Sequence, residues 1–132
     1  MRLLDRLQPV GALVMRLALG LSMSVHGYQK VFHPGALHHF AQYVATLGMP
    51  QWLGYVSAYV ELVGGVLLLV GLFTRLAAAL TAINMLVAFF TVGIHQGFGI
   101  YNYILALVAL AVMLTFYGAG ALAVDRRFPQ WR

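Results

Sequence analysis

The sequence predicts an all-α membrane protein, an antiparallel bundle of four transmembrane helices with a short interfacial helix between the first two. Hydrophobic residues make up 62% of the 132 residues and charged residues 8%, with a mean hydropathy of +0.86. Soluble domains carry about 25% charged residues. The apolar residues fall into four stretches of nearly the ~20 residues that a membrane-crossing helix needs. The predicted spans are residues 10–32, 52–73, 76–94 and 100–117. They use almost the whole chain, so we expect a single domain over residues 1–132.

The first span and the segment after it are predicted from proline positions and helical spacing. Pro9 and Pro50 each suit the first turn of a helix, where a missing N–H group costs nothing. The first stretch is longer than the apolar region of a secretory signal and lacks a cleavage site of small residues, so we interpret it as a retained anchor. Between the first two spans, residues 34–47 place four apolar side chains at helical spacing, Leu37, Phe40, Val44 and Leu47. We expect a short helix whose apolar side lies on the bilayer.

Short turns join the remaining spans. The turn Gly71–Arg75 is long enough only for an antiparallel hairpin, with Thr74 as a candidate N-cap of the third span. The turn at residues 95–99 is equally short, and Gly118 and Gly120 end the last span. Consecutive spans are therefore expected to run antiparallel.

Basic residues lie at the ends of the predicted spans. They are Arg2 and Arg6 before the first span, Arg75 between the second and third, and Arg126, Arg127 and Arg132 after the fourth. By the positive-inside rule we expect these segments, and hence both termini, to be cytoplasmic. Because the basic residues are dispersed at span ends, the formal net charge of +5 does not indicate a nucleic-acid surface.

The chain contains no cysteine, which excludes disulfides, thiol relays and Cys-ligated iron–sulfur clusters. Any redox role would need a bound cofactor, a quinone or a partner subunit. His26 and His95 do not suit a haem, because their estimated depths differ by roughly 7 Å. The other histidines, His33, His38 and His39, lack the carboxylate or thiolate neighbours of a strong metal site, so we predict no metal centre.

Glu61 is the most informative residue of the chain. It is the only acidic residue between Asp5 and Asp125, and it lies near the centre of the second span. A carboxylate at that depth is costly, requires a partner and by default indicates a functional site. Helical spacing places it on one stripe with small residues, Gly54, Ser57, Ala58, Gly64 and Gly65. Such stripes allow helices to approach closely, so Glu61 is expected to face the interior of the bundle.

Similar stripes on the first and third spans predict a buried polar cluster. Its members are Arg16, His26, Lys30, Glu61 and Asn84. If the span centres lie at the bilayer midplane, Glu61 and Asn84 fall near that plane and Arg16 roughly 7 Å to its cytoplasmic side. Arg16 is long enough to reach Glu61, so we predict an Arg16–Glu61 ion pair with His26 as a second neighbour. The alternative, that these groups only fix the register of the helices, remains open.

His26 and Lys30 lie four residues apart on one helix face, an arrangement suited to an anionic or carbonyl headgroup near the outer surface. In the alternative interpretation, Lys30 extends to the lipid headgroups and His26 bonds a backbone carbonyl. The residues themselves do not choose between the two.

Four ordered motifs carry a family resemblance. They read R-L-A-L-G at 16–20, H-G-Y-Q-K at 26–30, E-L-V-G-G at 61–65 and G-L-F-T-R-L-A at 71–77. The presence of these four motifs in this order makes the sequence resemble the DoxX family of small four-helix bacterial membrane proteins. One departure concerns the start of the fourth span, where many relatives have an acidic residue after the aromatic and this chain has Asn102 after Tyr101. The resemblance therefore does not extend to a second carboxylate near the outer surface.

The resemblance implies a membrane subunit associated with a quinone-linked oxidoreductase or an oxidative-stress system, located in the bacterial cytoplasmic (inner) membrane. The family is named for a subunit of a quinone-linked thiosulfate-oxidising system. On this hypothesis His26, Lys30 and Glu61 hold the quinone headgroup or relay its protons, since histidine exchanges protons near neutral pH. The expected partners are membrane lipids and oxidoreductase subunits.

Two alternatives belong to other classes. In the first, the protein is a small-solute or proton transporter whose polar route is lined by Arg16, His26, Glu61 and Asn84; four helices leave little lumen, so this version predicts a homo-oligomer. In the second, the protein is a non-catalytic scaffold that recruits partner enzymes. The sequence does not decide among the three, nor whether the protein has catalytic turnover.

Overall fold

The computed structural model describes residues 2–127, in which the regular secondary structure is helical. The α-helices are α1 (Arg2–Arg6), α2 (Gln8–Phe32), α3 (Ala36–Thr46), α4 (Gln51–Val70), α5 (Thr74–Thr91) and α6 (Phe98–Tyr117), with short 3₁₀ turns at Gly93–His95 and Val124–Arg127. The predicted inner cation Arg132 lies outside the described residues.

Four of these helices confirm the predicted spans. Within the described chain, α2, α4, α5 continued to His95, and α6 are long and apolar enough to cross a membrane. Each differs from its predicted bounds by only a few residues. Pro9 lies in the first turn of α2, and Pro50 immediately precedes α4, as expected from their fixed backbone geometry.

The four spans form a closed ring in which α2 neighbours α4, α4 neighbours α5, α5 neighbours α6, and α6 returns to α2. The centre is filled by apolar side chains, including the fully buried Leu19, Met23, Leu68 and Leu114. Large apolar residues such as Phe90 and Phe116 face outward, as expected for a bundle whose solvent is lipid. The predicted four-helix bundle is confirmed.

Helices α2 and α4 approach each other closely at two glycines. A Cβ atom at Gly27 would lie 2.3 Å from the backbone nitrogen of Leu62, and one at Gly65 would lie 2.4 Å from the backbone nitrogen of Ser24. Any side chain at either glycine would therefore push the helix backbones apart. These contacts also set the register, with Gly27 opposite Leu62 and Ser24 opposite Gly65.

The helix expected between the first two spans is present as α3, but its apolar side is not laid on the bilayer. Ala41 and Val44 are buried, and α3 packs mainly on α4. The reason is Gly54 on α4, where a Cβ atom would lie only 2.6 Å from the Cα atom of Ala41. The missing side chain lets α3 dock on the bundle and cover one end of it.

The start of α5 is capped by a distant residue. The expectation that Thr74 would be the N-cap is wrong, because α5 begins at Thr74 and the preceding Phe73 has a left-handed backbone with φ 50°. The cap is the buried carboxylate of Asp125, which accepts hydrogen bonds from the backbone nitrogens of Phe73 at 2.7 Å and Thr74 at 2.8 Å. The segment after α6 is thereby fixed to the α4–α5 turn.

Candidate functional site

The charged centre of the bundle is an ion pair between Glu61 on α4 and Lys30 on α2. The Lys30 ammonium donates to both carboxylate oxygens, at 2.9 Å to Oε1 and 2.8 Å to Oε2. The Glu61 side chain is 7% exposed and that of Lys30 is 27% exposed. A buried carboxylate is tolerated only with such a partner, so the pair explains how Glu61 resides within a span.

Two neutral side chains extend the ion pair towards α5. Asn84 on α5 donates from Nδ2 to Glu61 Oε1 at 3.2 Å. Ser57, one turn before Glu61 on α4, donates its hydroxyl to Asn84 Oδ1. The bonds run from α2 through α4 to α5 and join three of the four spans, which gives the polar network a fixed geometry.

This network lines one side of a cavity of about 300 Å³ between α3, α4 and α5. Lys30, Ser57, Glu61 and Asn84 contribute the polar groups. The other walls are mostly apolar or aromatic, with Phe40 and Tyr43 from α3 and Val87 from α5 among them. An apolar cavity with a few convergent polar groups is the usual form of a small-molecule site, and its volume is at the lower end of the common range.

The remaining hydrogen-bonding capacity determines which ligands the cavity suits. Lys30 has three N–H groups, of which two are directed at Glu61, and its Nζ lies 4.1 Å from the centre of the Phe40 ring. Glu61 Oε2 accepts from Lys30 alone among the described side chains, so it retains acceptor capacity. The site thus offers a charged donor and a charged acceptor side by side, beside an aromatic ring. This set suits a planar ligand with carbonyl or hydroxyl oxygens.

The predicted Arg16–Glu61 ion pair is not formed, and this expectation is wrong. Arg16 is buried at 1% exposure, but its guanidinium faces the segment after α6. It donates from Nη1 to the carbonyls of Ala119 at 2.9 Å and Ala121 at 3.3 Å, and from Nη2 to that of Leu122 at 2.9 Å. Arg16 therefore holds the last described segment against the bundle.

The register of α2 against α4 explains the error. Gly27 lies opposite Leu62 and Ser24 opposite Gly65, so residue 28 is level with Glu61, and Lys30 is about half a turn further along. Arg16 is more than three turns away in the other direction. The centres of the two spans therefore do not lie at the same depth, contrary to the expectation from their sequence positions.

Asp125 is the residue that sequence reasoning missed. Its carboxylate is fully buried and caps α5, and its backbone nitrogen donates to the carbonyl of Gly71 at 2.9 Å. A signal was present: Asp125 is an isolated acid in a basic segment, and the α4–α5 turn has two helix-start N–H groups that need an acceptor. Arg16, Asp125 and the carbonyls of the segment form a second polar cluster, at the end of the bundle that carries the described chain ends.

The structure does not bring His26 to Glu61. His26 is partly exposed, is not among the residues lining the cavity, and stacks loosely with Tyr103, with ring centres 6.4 Å apart. Of the predicted cluster, Lys30, Glu61 and Asn84 come together, whereas Arg16 and His26 lie elsewhere. Within residues 2–127, no three histidine or acidic side chains are grouped as metal ligands would be.

Comparison with known proteins identifies the family. A family model described as DoxX matches residues 11–94, which include most of α2 and all of α3 to α5. The chain belongs to the DoxX family. The resemblance drawn from the four motifs is thereby confirmed, and the matched residues contain Arg16, Lys30, Glu61 and Asn84. With its four apolar spans, this DoxX protein is a multi-pass membrane protein.

Two relatives illustrate how far the similarity extends. This DoxX protein is 33% identical over 119 residues to the Bacillus subtilis (strain 168) protein named "Putative oxidoreductase CatD", a match that covers 88% of this chain and 85% of the relative. It is 36% identical over 90 residues to an uncharacterized protein of Haemophilus influenzae, covering 63% of this chain and 66% of that protein. No solved structure gives a significant match.

Proposed function

We propose that this DoxX protein is a membrane subunit of a quinone-linked oxidoreductase system and that the cavity beside Lys30, Glu61 and Asn84 binds the quinone headgroup. The observation that carries the proposal is the buried Lys30–Glu61 ion pair on the wall of an apolar cavity of about 300 Å³. The name of the Bacillus subtilis relative supports the oxidoreductase association.

The chemistry of the cavity fits a quinone. A quinone carbonyl accepts hydrogen bonds and the corresponding quinol hydroxyl donates them, so the headgroup needs a donor and an acceptor in one place. Lys30 supplies the donor and Glu61 Oε2 the acceptor, while Phe40 and Tyr43 supply aromatic walls. The bound quinone would supply the redox chemistry, and the protein residues would orient its oxygens and exclude water. His26 is left out of this site because it does not line the cavity.

Binding of a headgroup can be tested with the purified protein in lipid nanodiscs. A quinone analogue should raise the Tm, and the Glu61→Gln variant should lose most of that shift because the amide no longer matches the Lys30 charge. Ser22→Ala on α2 is a suitable control, since Ser22 does not line the cavity. Wild-type protein that retains no quinone and shows no Tm shift with the analogue would contradict the proposal.

The proposed location is the bacterial inner membrane with both termini cytoplasmic. Five exposed arginines, Arg2, Arg6, Arg75, Arg126 and Arg127, lie in the segments that the positive-inside rule assigns to the cytoplasm. Because the chain has no cysteine, single cysteines at the exposed positions Ala45 and Arg126 can report the topology. An impermeant maleimide added to spheroplasts should label Ala45→Cys and not Arg126→Cys; the opposite pattern would invert the proposed orientation.

The proposal also includes oxidoreductase subunits as partners of this protein in the membrane. A co-purifying oxidoreductase subunit that persists in Glu61→Gln would favour the scaffold alternative over quinone binding by this chain. Solute or proton flux into liposomes that depends on Glu61, with no quinone-dependent Tm shift, would favour the transporter alternative.

A further inference from the structure

An apolar groove adjoins the cavity along the outside of α4 and α5. The groove is open to the outside, has a volume of about 450 Å³, and shares the lining residues Val56, Val60 and Leu80 with the cavity. Beyond these shared residues it extends past Val63 to Leu67 on α4 and to Leu76 on α5. The two spaces therefore adjoin, and the charged and amide groups lie in the cavity.

The groove is shaped by small residues between two rows of larger ones. Gly64 and Ala77 line it and are both buried, so they leave room between the rims formed by Val63 and Leu76. From Val56 to Leu67 the groove covers roughly 16 Å of α4, about half of the ~30 Å hydrocarbon thickness. Apart from backbone and the Tyr55 and Tyr59 hydroxyls, its lining is hydrocarbon or aromatic carbon.

We propose that the groove holds the prenyl chain of the same membrane quinone whose headgroup occupies the cavity. This inference rests on the proposed function and adds a substrate class to it: quinones with a long apolar chain, in preference to chain-less quinones. The three side chains that line both spaces carry the argument. A headgroup beside Glu61 must carry its chain out past apolar side chains, and Val56, Val60 and Leu80 line both the cavity and the groove.

The energetic contribution of the groove is modest and comes from packing. A prenyl chain that leaves the groove enters lipid tails that are equally apolar, so no hydrophobic transfer energy separates the two states. What the groove adds is a set of carbon–carbon contacts, each of which is weak. Filling part of the groove should therefore lower affinity for the chain-bearing ligand about fivefold, the effect of several such contacts.

A matched pair of variants on α4 tests the proposal. Val63 lines the groove and is 53% exposed, whereas Val66 is 47% exposed and does not line it. Val63→Phe fills the groove from its rim, and Val66→Phe adds the same side chain to a lipid-facing position. Both sites face outward, so both variants are expected to fold, and the ligand-free Tm verifies this.

The measurement is equilibrium dialysis of nanodiscs against decylubiquinone and against the chain-less dimethoxymethylbenzoquinone, with empty nanodiscs as the partition blank. We expect Val63→Phe to bind decylubiquinone about fivefold more weakly and the chain-less quinone unchanged, and Val66→Phe to match the wild type for both. If Val63→Phe changes the affinity for both quinones equally, or changes neither, the groove does not hold the chain. The proposed headgroup site would be unaffected by that result.

Two other outcomes are distinguishable. If Val63→Phe loses co-purified phospholipid while its decylubiquinone affinity is unchanged, the groove belongs to a phospholipid acyl chain and the inference is wrong. If wild type and Glu61→Gln bind both quinones equally weakly, the headgroup proposal itself fails and the groove inference fails with it.

Discussion

Removing Lys30 should destabilise the protein more than neutralising Glu61, although the two residues form one ion pair. The Glu61 side chain is 7% exposed near the middle of α4, and Lys30→Met leaves its carboxylate with Asn84 as the only other described donor. In Glu61→Gln the remaining Lys30 ammonium lies two residues from the end of α2. Its long side chain can extend towards the headgroups on the side covered by α3.

The expected magnitudes follow from this asymmetry. Breaking a buried ion pair by removing one partner costs 3–5 kcal/mol. The Asn84 hydrogen bond and the 27% exposure of Lys30 reduce this, so we expect about 2–3 kcal/mol for Lys30→Met. For Glu61→Gln we expect about 1 kcal/mol, the net value of an ordinary hydrogen bond. The double variant should be within about 0.5 kcal/mol of Glu61→Gln alone, because no stranded carboxylate is left.

The free energy of unfolding can be measured by reversible unfolding in mixed micelles, with helix content as the signal. Arg75→Met is a suitable control, since Arg75 is an exposed cation at the other end of the bundle with a single 3.2 Å bond to the carbonyl of Tyr117, and should cost less than about 1 kcal/mol. Equal effects of Lys30→Met and Glu61→Gln, or a double variant whose loss equals the sum of the two, would refute the reasoning.

Three further predictions concern the rest of the bundle. Asp125→Asn should cost about 2–4 kcal/mol of unfolding free energy, because two N–H groups at the start of α5, one of them buried, lose a charged acceptor; an unchanged Tm would contradict this. Gly65→Ala should lower the free energy of unfolding by about 1–3 kcal/mol, because the added methyl group separates α2 from α4. Gly11→Ala is the control: its Cβ would meet nothing within 4 Å, so it should be neutral or stabilising. Equal Tm values for the two variants would show that the α2–α4 contact at Gly65 does not contribute to stability. Arg16→Lys retains the charge but cannot reproduce the three carbonyl bonds of the guanidinium. Limited proteolysis should therefore cut the variant faster than the wild type within residues 119–127. Equal cleavage rates for the two proteins would show that Arg16 does not hold this segment.

The membrane fold was predictable because it depends on amino-acid composition and on the spacing of the apolar stretches along the chain. Four apolar stretches of span length, separated by turns too short for anything but hairpins, leave little freedom in the topology. The position of α3 was also predictable from its spacing, but its docking was not. Its contact with α4 depends on the absence of a side chain at Gly54, and a glycine in a membrane helix does not by itself reveal which neighbour approaches it.

The candidate site was predicted in part. Helical spacing correctly placed Lys30 and Glu61 on interior faces, because the angular position of a residue follows from the 3.6-residue repeat. Arg16 and Lys30 share one face of α2, so spacing could not choose between them as partners of Glu61. The choice depends on how far α2 is shifted along α4, and Gly27 and Gly65 set that shift through backbone contacts.

The sequence alone determined that the chain is a four-span helical membrane protein with a carboxylate inside it, since span length, apolar content and face are properties of each segment. The tertiary structure decided that Lys30 neutralises the carboxylate, that Arg16 binds the segment after α6 while Asp125 of that segment caps α5, and that a cavity adjoins Glu61. These depend on the relative depth of two helices and on contacts between residues up to about a hundred positions apart. Such contacts arise only when the helices pack, because helical periodicity fixes the direction of a side chain and not the neighbour that it meets.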